Sequence, residues 1–208
     1  NPGVSATGPA ACAATSAMNS FIFLQNQYGL SDLYDRGNPY GSISTLASAA
    51  YLNTTPATAD NASQTGYSGG GVSPDAFVSG KESYLQSVAP ITDNNGQQYA
   101  IQTVGQVDPT YGRGQAANGP WAEGVEAVIP TADFIYQQLD EGEDVEMFFT
   151  WTDADGNNPQ PGHVVALTGI DYDETSNSGS VSFIDPTNSN GGQIAYGSGD
   201  APDITSLS

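Results

Sequence analysis

Basic residues are almost missing from this chain. Only three of its 208 residues are lysine or arginine, against 23 aspartates and glutamates, so its formal net charge is -20. The imbalance comes from missing bases rather than surplus acids, because charged residues make up only 12% of the chain, about half of the usual share. Such a surface cannot neutralise phosphates, which argues against nucleic acid and anionic membrane surfaces as partners.

Long hydrophobic runs are missing as well. No apolar stretch in the sequence approaches the roughly 18 residues of a membrane span, so we expect no membrane insertion. No basic-then-apolar signal peptide is present, and the chain starts at Asn1 without a methionine, so we expect a mature or trimmed product. Because trypsin-like proteases would find few sites in it, we expect a secreted or extracellular protein. The length fits one domain, residues 1–208.

Cysteine and histidine each occur once in the sequence. Cys12 lies in GPAACAATSAMNSF, residues 8–21, and His163 lies in GHVVALTGIDYD, residues 162–173. A single cysteine excludes an intramolecular disulfide, and free cysteines are often only small buried apolar side chains. A cysteine at a helix N-terminus together with a histidine on a strand is also what nucleophilic cysteine catalysis requires.

Hydrophobic periodicity divides the chain into a helical part and a later sheet. Apolar residues recur at helical spacing in the first two thirds, and alternation typical of strands replaces it in the last third. This order predicts an α+β domain rather than a doubly wound one. The predicted helices span residues 10–28, 43–52, 74–88 and 130–139, and the predicted strands span 145–151, 164–170 and 180–185.

The position of Cys12 predicts its chemistry. The residue falls in the first turn of the first predicted helix, just after Gly8-Pro9. Unsatisfied N–H groups and the helix dipole favour a thiolate there. We therefore expect the pKa of Cys12 to lie below the ordinary thiol value of about 8.5.

The histidine strand and the next strand form a predicted hairpin, because residues 171–180 are rich in turn formers. A hairpin centred on Glu174 would place His163 opposite Asp185, with Cβ atoms about 4.5–5.5 Å apart. A carboxylate at that distance can orient an imidazole. The same register would pair Val165 with Phe183 and Leu167 with Val181.

Three short motifs together resemble a known superfamily. They are CxxTS on the first helix, GHxVxxTGID on a strand, and F-x-D-P at the end of the next strand. The chain resembles papain-like cysteine peptidases, most closely the peptidases that process bacteriocin leaders at a double glycine, and their secreted single-domain relatives. The resemblance implies a papain-like fold, with Cys12 as nucleophile, His163 as base and Asp185 as the group that orients it. It covers the two ends of the chain and not residues 30–140.

The sequence departs from this superfamily at the oxyanion site. These peptidases carry a glutamine about six residues before the cysteine, and this chain has Ala6 there. The Cys12 backbone N–H could supply one donor to the oxyanion, and Ser5 or Thr7 a second. Because one lost donor typically lowers the rate by about 10²–10³, the resemblance implies slow cleavage of a peptide or protein substrate.

Three functions remain open from the sequence. The first is a secreted cysteine peptidase with a Cys12–His163–Asp185 triad. The second is a catalytically inactive papain-like binding or matrix module, and the third is an acyltransferase or cell-wall amidase using the same triad. No cofactor is expected. Asp153 and Asp155 resemble the start of a calcium loop, but Val164 occupies the position of its bidentate glutamate, so a solvated turn explains them as well and no metal is expected.

Overall fold

The computed structural model describes an α+β architecture. It describes residues 11–54, 72, 74–108, 123–150, 163–173, 175, 178–186, 191–196 and 203–207. Within these residues, four helices precede or flank a mixed sheet whose C-terminal strands are antiparallel. The predicted α+β class is therefore confirmed. The helices are α1 (Ala11–Gln27), α2 (Pro39–Ala47), α3 (Pro74–Val88) and α4 (Ala132–Asp140).

Helix α1 begins and ends close to the predicted bounds. Its C-terminus is set by Gly29, whose φ of +65° is strained for any residue with a side chain. Alanines and serines dominate its first half and are buried, which lets the helix axis come close to the sheet. Larger side chains further along the helix, among them Met18 and Phe21, fill the space against the other helices.

Helix α3 has the predicted bounds, and the other two predicted helices are shifted. Helix α2 begins at Pro39 because the Asn38 side chain accepts a hydrogen bond from the Gly41 backbone N–H at 3.0 Å. It lies four to five residues before the predicted segment. Helix α4 begins after Thr131, whose hydroxyl accepts a hydrogen bond from the Phe134 N–H at 3.2 Å.

Two sheets are present in the described part of the chain. A two-stranded sheet pairs β1 with β2, and a seven-stranded sheet has the order β4-β3-β9-β5-β6-β7-β8. Within the larger sheet, only the edge pair β3–β4 is parallel. The strands are β1 (Ile91–Thr92), β2 (Gln98–Tyr99), β3 (Gly105–Val107), β4 (Val125–Glu126), β5 (Glu146–Thr150), β6 (His163–Asp173), β7 (Ser178–Ile184), β8 (Gly191–Tyr196) and β9 (Asp203–Leu207).

The central strand β5 is covered on both faces. Phe148 packs into the cluster formed with α1, α2 and α3, whereas Met147 and Phe149 pack against Ile135 of α4. Burial on both faces explains why residues 145–149 are all less than a tenth exposed. The helices therefore lie on opposite sides of the sheet. Helix α1 contacts the beginning of β6, where Ser16 bonds to Val164.

A buried ionic cluster ties α3 to β5. Lys81 of α3 donates to both carboxylate oxygens of Glu146 at 2.9 Å and to Asp144 Oδ2 at 3.0 Å. Glu146 is completely buried. Burial raises the pKa of Glu146 to about 7, with Lys81 opposing the shift and Asp144 adding to it. One of only three basic residues in the chain is thus used inside the protein.

Within the described residues, no helix has both the length and the apolar character needed to span a membrane. Several predicted features fall elsewhere. The N-terminal residues Ser5, Ala6 and Thr7 and the acidic pair Asp153 and Asp155 lie outside the described residues.

Candidate functional site

Cys12 is the second residue of α1, as the periodicity predicted, and its thiol is free. The side chain is half-buried where the helix meets the first residues of β6. The backbone amide of Val164, the residue that follows His163, lies close enough to the sulfur to lower the pKa of the thiol. The helix and the histidine strand are thus joined at Cys12 itself.

The predicted lowering of the Cys12 pKa is wrong. Burial of the thiol raises its pKa, and this effect outweighs the opposing hydrogen bonds from the backbone N–H groups of Val164, Ala13 and Cys12. The charge of Asp185 raises the pKa further. The helix N-terminus does favour the thiolate, as expected, but desolvation is the larger effect here. The resting side chain is therefore a thiol.

Helix α1 holds Val164 through its backbone carbonyl. Ser16, one turn after Cys12, donates its hydroxyl hydrogen to the Val164 carbonyl at 2.7 Å, and Ser16 is fully buried. The Val164 amide also lies beside the Cys12 sulfur and lowers the pKa of that thiol. Two side chains four residues apart on one helix face therefore fix the backbone next to His163.

His163 and Asp185 lie together. The His163 Nε2 atom is 3.4 Å from Asp185 Oδ1, at the long end of the hydrogen-bond range. Both side chains are partly buried, with 18% and 28% of their surfaces exposed. Because Nε2 faces the carboxylate, Nδ1 is the ring nitrogen left to exchange a proton with another group.

The predicted hairpin register is wrong by two residues at this end. Leu167 pairs with Phe183 rather than Val181, and Ala166 pairs with Ile184. The register shifts again between Leu167 and Gly169, where an extra residue of β6 forms a bulge. A shift of two residues keeps each side chain on its face of the sheet. Asp185 therefore still reaches His163, diagonally rather than from the directly opposite position.

Phe149 is a neighbour of His163 that the sequence analysis missed. It pairs with His163 across β5 and β6, and the two rings meet edge to face with centroids 5.7 Å apart. Phe149 is buried against Phe183 and fills the space behind the imidazole. The polar Asp-Gly sequence between the two strands could have indicated this pairing, because such sequences are typical of hairpin connections.

The sequence-predicted site residues fall into two groups. The structure brings Cys12, His163 and Asp185 to one junction of α1, β6 and the end of β7. The candidate second oxyanion donors, Ser5 and Thr7, lie outside the described residues. Within the described ranges, no group of three or more histidine, cysteine, aspartate or glutamate side chains could hold a metal ion.

Replacing Ser16 by alanine tests the coupling between α1 and β6. We expect Ser16→Ala to lower the free energy of unfolding by about 0.5–1.5 kcal/mol, since it deletes one buried hydrogen bond. The matched control is Ser44→Ala, because Ser44 donates to the Tyr40 carbonyl within α2 and is exposed. Urea unfolding measures both. If Ser16→Ala and Ser44→Ala both leave the free energy of unfolding nearly unchanged, the proposed role of Ser16 is contradicted.

Comparison with known proteins adds no assignment. The sequence matches no protein-family model and no curated protein. The likeness to papain-like peptidases therefore rests on the three short motifs and on the chemistry of the residues they contain.

Proposed function

We propose that this chain is a secreted cysteine peptidase with a papain-like arrangement of a Cys12–His163–Asp185 triad. The observation that carries the proposal is the His163–Asp185 pair at 3.4 Å, joined to the Cys12 sulfur through the Val164 amide. A nucleophile, a base and an orienting carboxylate are the three roles that covalent acyl transfer requires. The low share of charged residues, 12%, and the presence of only three lysines and arginines support an extracellular location.

The proposed reaction begins with proton transfer. His163 Nδ1 accepts the Cys12 proton while the sulfur attacks the scissile carbonyl carbon, and the Cys12 backbone N–H donates to the developing oxyanion. The imidazolium then gives its proton to the leaving amine, which leaves a thioester on Cys12. Water, deprotonated by His163, hydrolyses the thioester and restores the thiol. Asp185 holds the ring and stabilises the imidazolium in both halves of the cycle.

A resting thiol makes the base indispensable. If the cysteine were already a thiolate, His163 would only need to protonate the leaving group. Because burial raises the pKa of Cys12, His163 must also remove the thiol proton during attack. The site therefore resembles a serine-type general-base site more than a preformed thiolate–imidazolium pair.

Alkylation of Cys12 tests this protonation state. We expect the iodoacetamide reaction to rise with pH around a midpoint above that of the same cysteine in the denatured chain, because burial raises its pKa. At neutral pH, the His163→Ala variant should react more slowly than the unsubstituted folded protein, because the base is lost. The second-order rate constant is measured by intact mass across the pH range. If the rate has its midpoint at a lower pH in the folded protein than in the denatured chain, the pKa of Cys12 is lowered on folding, as the sequence predicted, and not raised.

Peptide cleavage tests the function itself. The folded protein is incubated with a peptide library at low salt, and the products are compared with those of Cys12→Ala. We expect slow cleavage that Cys12→Ala abolishes, with peptides containing small residues near the scissile bond cleaved best. Acidic peptides should be cleaved most slowly, since the net charge of -20 repels them. Cleavage that survives in Cys12→Ala, or a preference for acidic peptides, would contradict the proposal.

The two alternative functions are separated when an activated acyl donor and a cell-wall amide are added to this assay. An acyltransferase or amidase with this triad would consume an activated acyl donor or a cell-wall amide through Cys12 without cleaving ordinary peptides. A binding module would do neither. The raised pKa of the Cys12 thiol favours the inactive binding module, because little of the thiolate nucleophile is present at neutral pH unless His163 acts as base.

A further inference from the structure

A cleft lies away from the cysteine. It has a volume of about 470 Å³ and is bounded by the end of α1, by α4 and by the chain at residues 99–104. Cys12, His163 and Asp185 do not line it. Its chemistry is therefore independent of the proposed peptidase.

Carboxylates give this cleft a negative charge. Glu141, Glu143 and Asp144 line it together with a single base, Lys81. The Lys81 ammonium is already bonded to Asp144 and to the buried Glu146. Among the described residues, neither Glu141 nor Glu143 forms a salt bridge. Burial raises the pKa of Glu143, the charges of Asp144 and Glu141 add to that effect, and the charge of Lys81 opposes it. Carboxylates thus outnumber bases in the lining of the cleft.

Aromatic rings form part of the wall. Tyr28 and Tyr99 line the cleft and are 44% and 47% exposed. The Tyr28 hydroxyl donates to the Gly142 carbonyl at 2.6 Å, which fixes the ring beside the carboxylates. A Cβ atom at Gly142 would lie 2.6 Å from that hydroxyl oxygen, and its φ is +83°, so only glycine fits there. The ring position is thus built into the turn after α4.

Thr103 supplies an unused polar group. It lines the cleft and is only 4% exposed, and its Oγ1 atom has no hydrogen-bond partner among the described residues. Most buried hydroxyls in native proteins are hydrogen-bonded, so one without a partner calls for an explanation. The Oγ1 atom is itself closed to solvent, so a ligand N–H would reach it only if the neighbouring side chains moved.

We propose that this cleft binds an organic cation, an alkylammonium or guanidinium group carried on an aliphatic stem. The carboxylates of Glu141 and Glu143 provide the counter-charge, and Tyr28 and Tyr99 line the cleft with aromatic rings, whose π electrons attract cations. The apolar lining, which includes Leu24, Leu30 and Ile101, accommodates the stem. A free amine and the side chain of a lysine or arginine in a peptide share this chemistry.

Titration calorimetry with small probes tests the proposal. The probes are n-butylammonium, Nα-acetyl-lysine methylamide and the neutral Nα,Nε-diacetyl-lysine methylamide. We expect both cations to bind saturably and Glu143→Gln to weaken them by about fivefold, the size of one solvent-accessible charge pair. The neutral probe should bind at least about fivefold more weakly than its cationic parent for the same reason. Tighter binding of the lysine derivative than of butylammonium would identify a peptide side chain as the ligand. Equal binding of these two cations would identify a free amine as the ligand.

Glu126→Gln is the matched control. Glu126 is exposed on β4 and does not line the cleft, yet its replacement changes the net charge by the same amount. It should leave the affinity within about twofold of the unsubstituted protein. Equal weakening in Glu126→Gln and Glu143→Gln would overturn the proposal, because the attraction would then be due to the overall charge. Equal binding of the neutral probe, or no saturable binding, would also overturn it.

Discussion

Replacing Asp185 by alanine should lower kcat/KM for peptide cleavage by about 10²–10⁴, the range expected when the group that orients a catalytic histidine is lost. Asp185 Oδ1 lies 3.4 Å from Nε2 of His163, and this contact leaves Nδ1 as the nitrogen that exchanges the proton. Without the carboxylate, the imidazole can take the other tautomer, and the imidazolium formed during attack loses its counter-charge. Initial rates with one good peptide, at several pH values, measure the effect.

Two further variants complete this test: one separates orientation from charge, and the other controls for damage to the hairpin. Asp185→Asn keeps a side chain of the same shape, so its remaining loss reports the missing charge. Asp171→Ala is the matched control, because Asp171 lies on β6 with His163 but pairs with Ser180 near the other end of the hairpin. It should leave kcat/KM unchanged. An Asp171→Ala loss as large as that of Asp185→Ala would mean that the hairpin, and not the triad, is what the substitution damages.

Replacing Lys81 by methionine should lower the free energy of unfolding by about 3–5 kcal/mol at pH 8, the cost of leaving buried carboxylates without their cation. The Lys81 ammonium bonds both Glu146 oxygens and Asp144, and the cluster lies under the central strand β5. Methionine fills similar volume and keeps the apolar stem, so the loss comes from charge rather than from a cavity. Urea unfolding followed by tyrosine and tryptophan fluorescence measures it.

The pH dependence of this loss follows from Glu146. In the folded protein, burial raises its pKa to about 7, above the unfolded value of about 4.3. A raised carboxyl pKa means that folding favours the protonated form, so its ionisation weakens the fold as the pH rises from about 4.3 to 7. Lys81 opposes this shift, and its removal raises the Glu146 pKa further. The Lys81→Met loss should therefore shrink as the pH falls from 8 to 5.

The double variant Lys81→Met/Glu146→Gln is the control for this cluster. It removes the cation and one buried carboxylate together, so it should recover a substantial part of the stability lost in Lys81→Met at pH 8. At pH 5 the single and double variants should differ much less. A Lys81→Met loss that is the same at both pH values, and is not reduced in the double variant, would show that packing and not charge is responsible.

The fold was predictable where one local pattern determined an element. Residues 74–88 have clear helical spacing and form α3 with the predicted bounds. Helix α2 was misplaced because the capping side chain of Asn38 outweighs the periodicity that follows it. Strands β8 and β9 were missed because their residues carry no clear alternation. The position of β9 between β3 and β5 depends on long-range pairing, which a local pattern cannot reveal.

The proximity of Cys12, His163 and Asp185 was predictable from the sequence, but the pKa of Cys12 was not. The only cysteine and histidine had to pair with each other if they paired at all, and the turn-rich hairpin brought in Asp185 even though its register was wrong by two residues. The Cys12 pKa was predicted in the wrong direction, because burial depends on how closely α1 packs on β6. Lys81 and Glu146 were missed because a buried ionic cluster of this kind depends on tertiary contact.

The most direct test of the proposed cysteine chemistry is the mass of the protein during reaction with an activated peptide thioester. The account predicts an added mass equal to the acyl group, located on Cys12, that hydroxylamine removes and that Cys12→Ala never acquires. His163→Ala should acylate much more slowly, because the resting Cys12 is a thiol. Turnover of the thioester at an undiminished rate by Cys12→Ala, or no acylation of the folded protein at all, would contradict it.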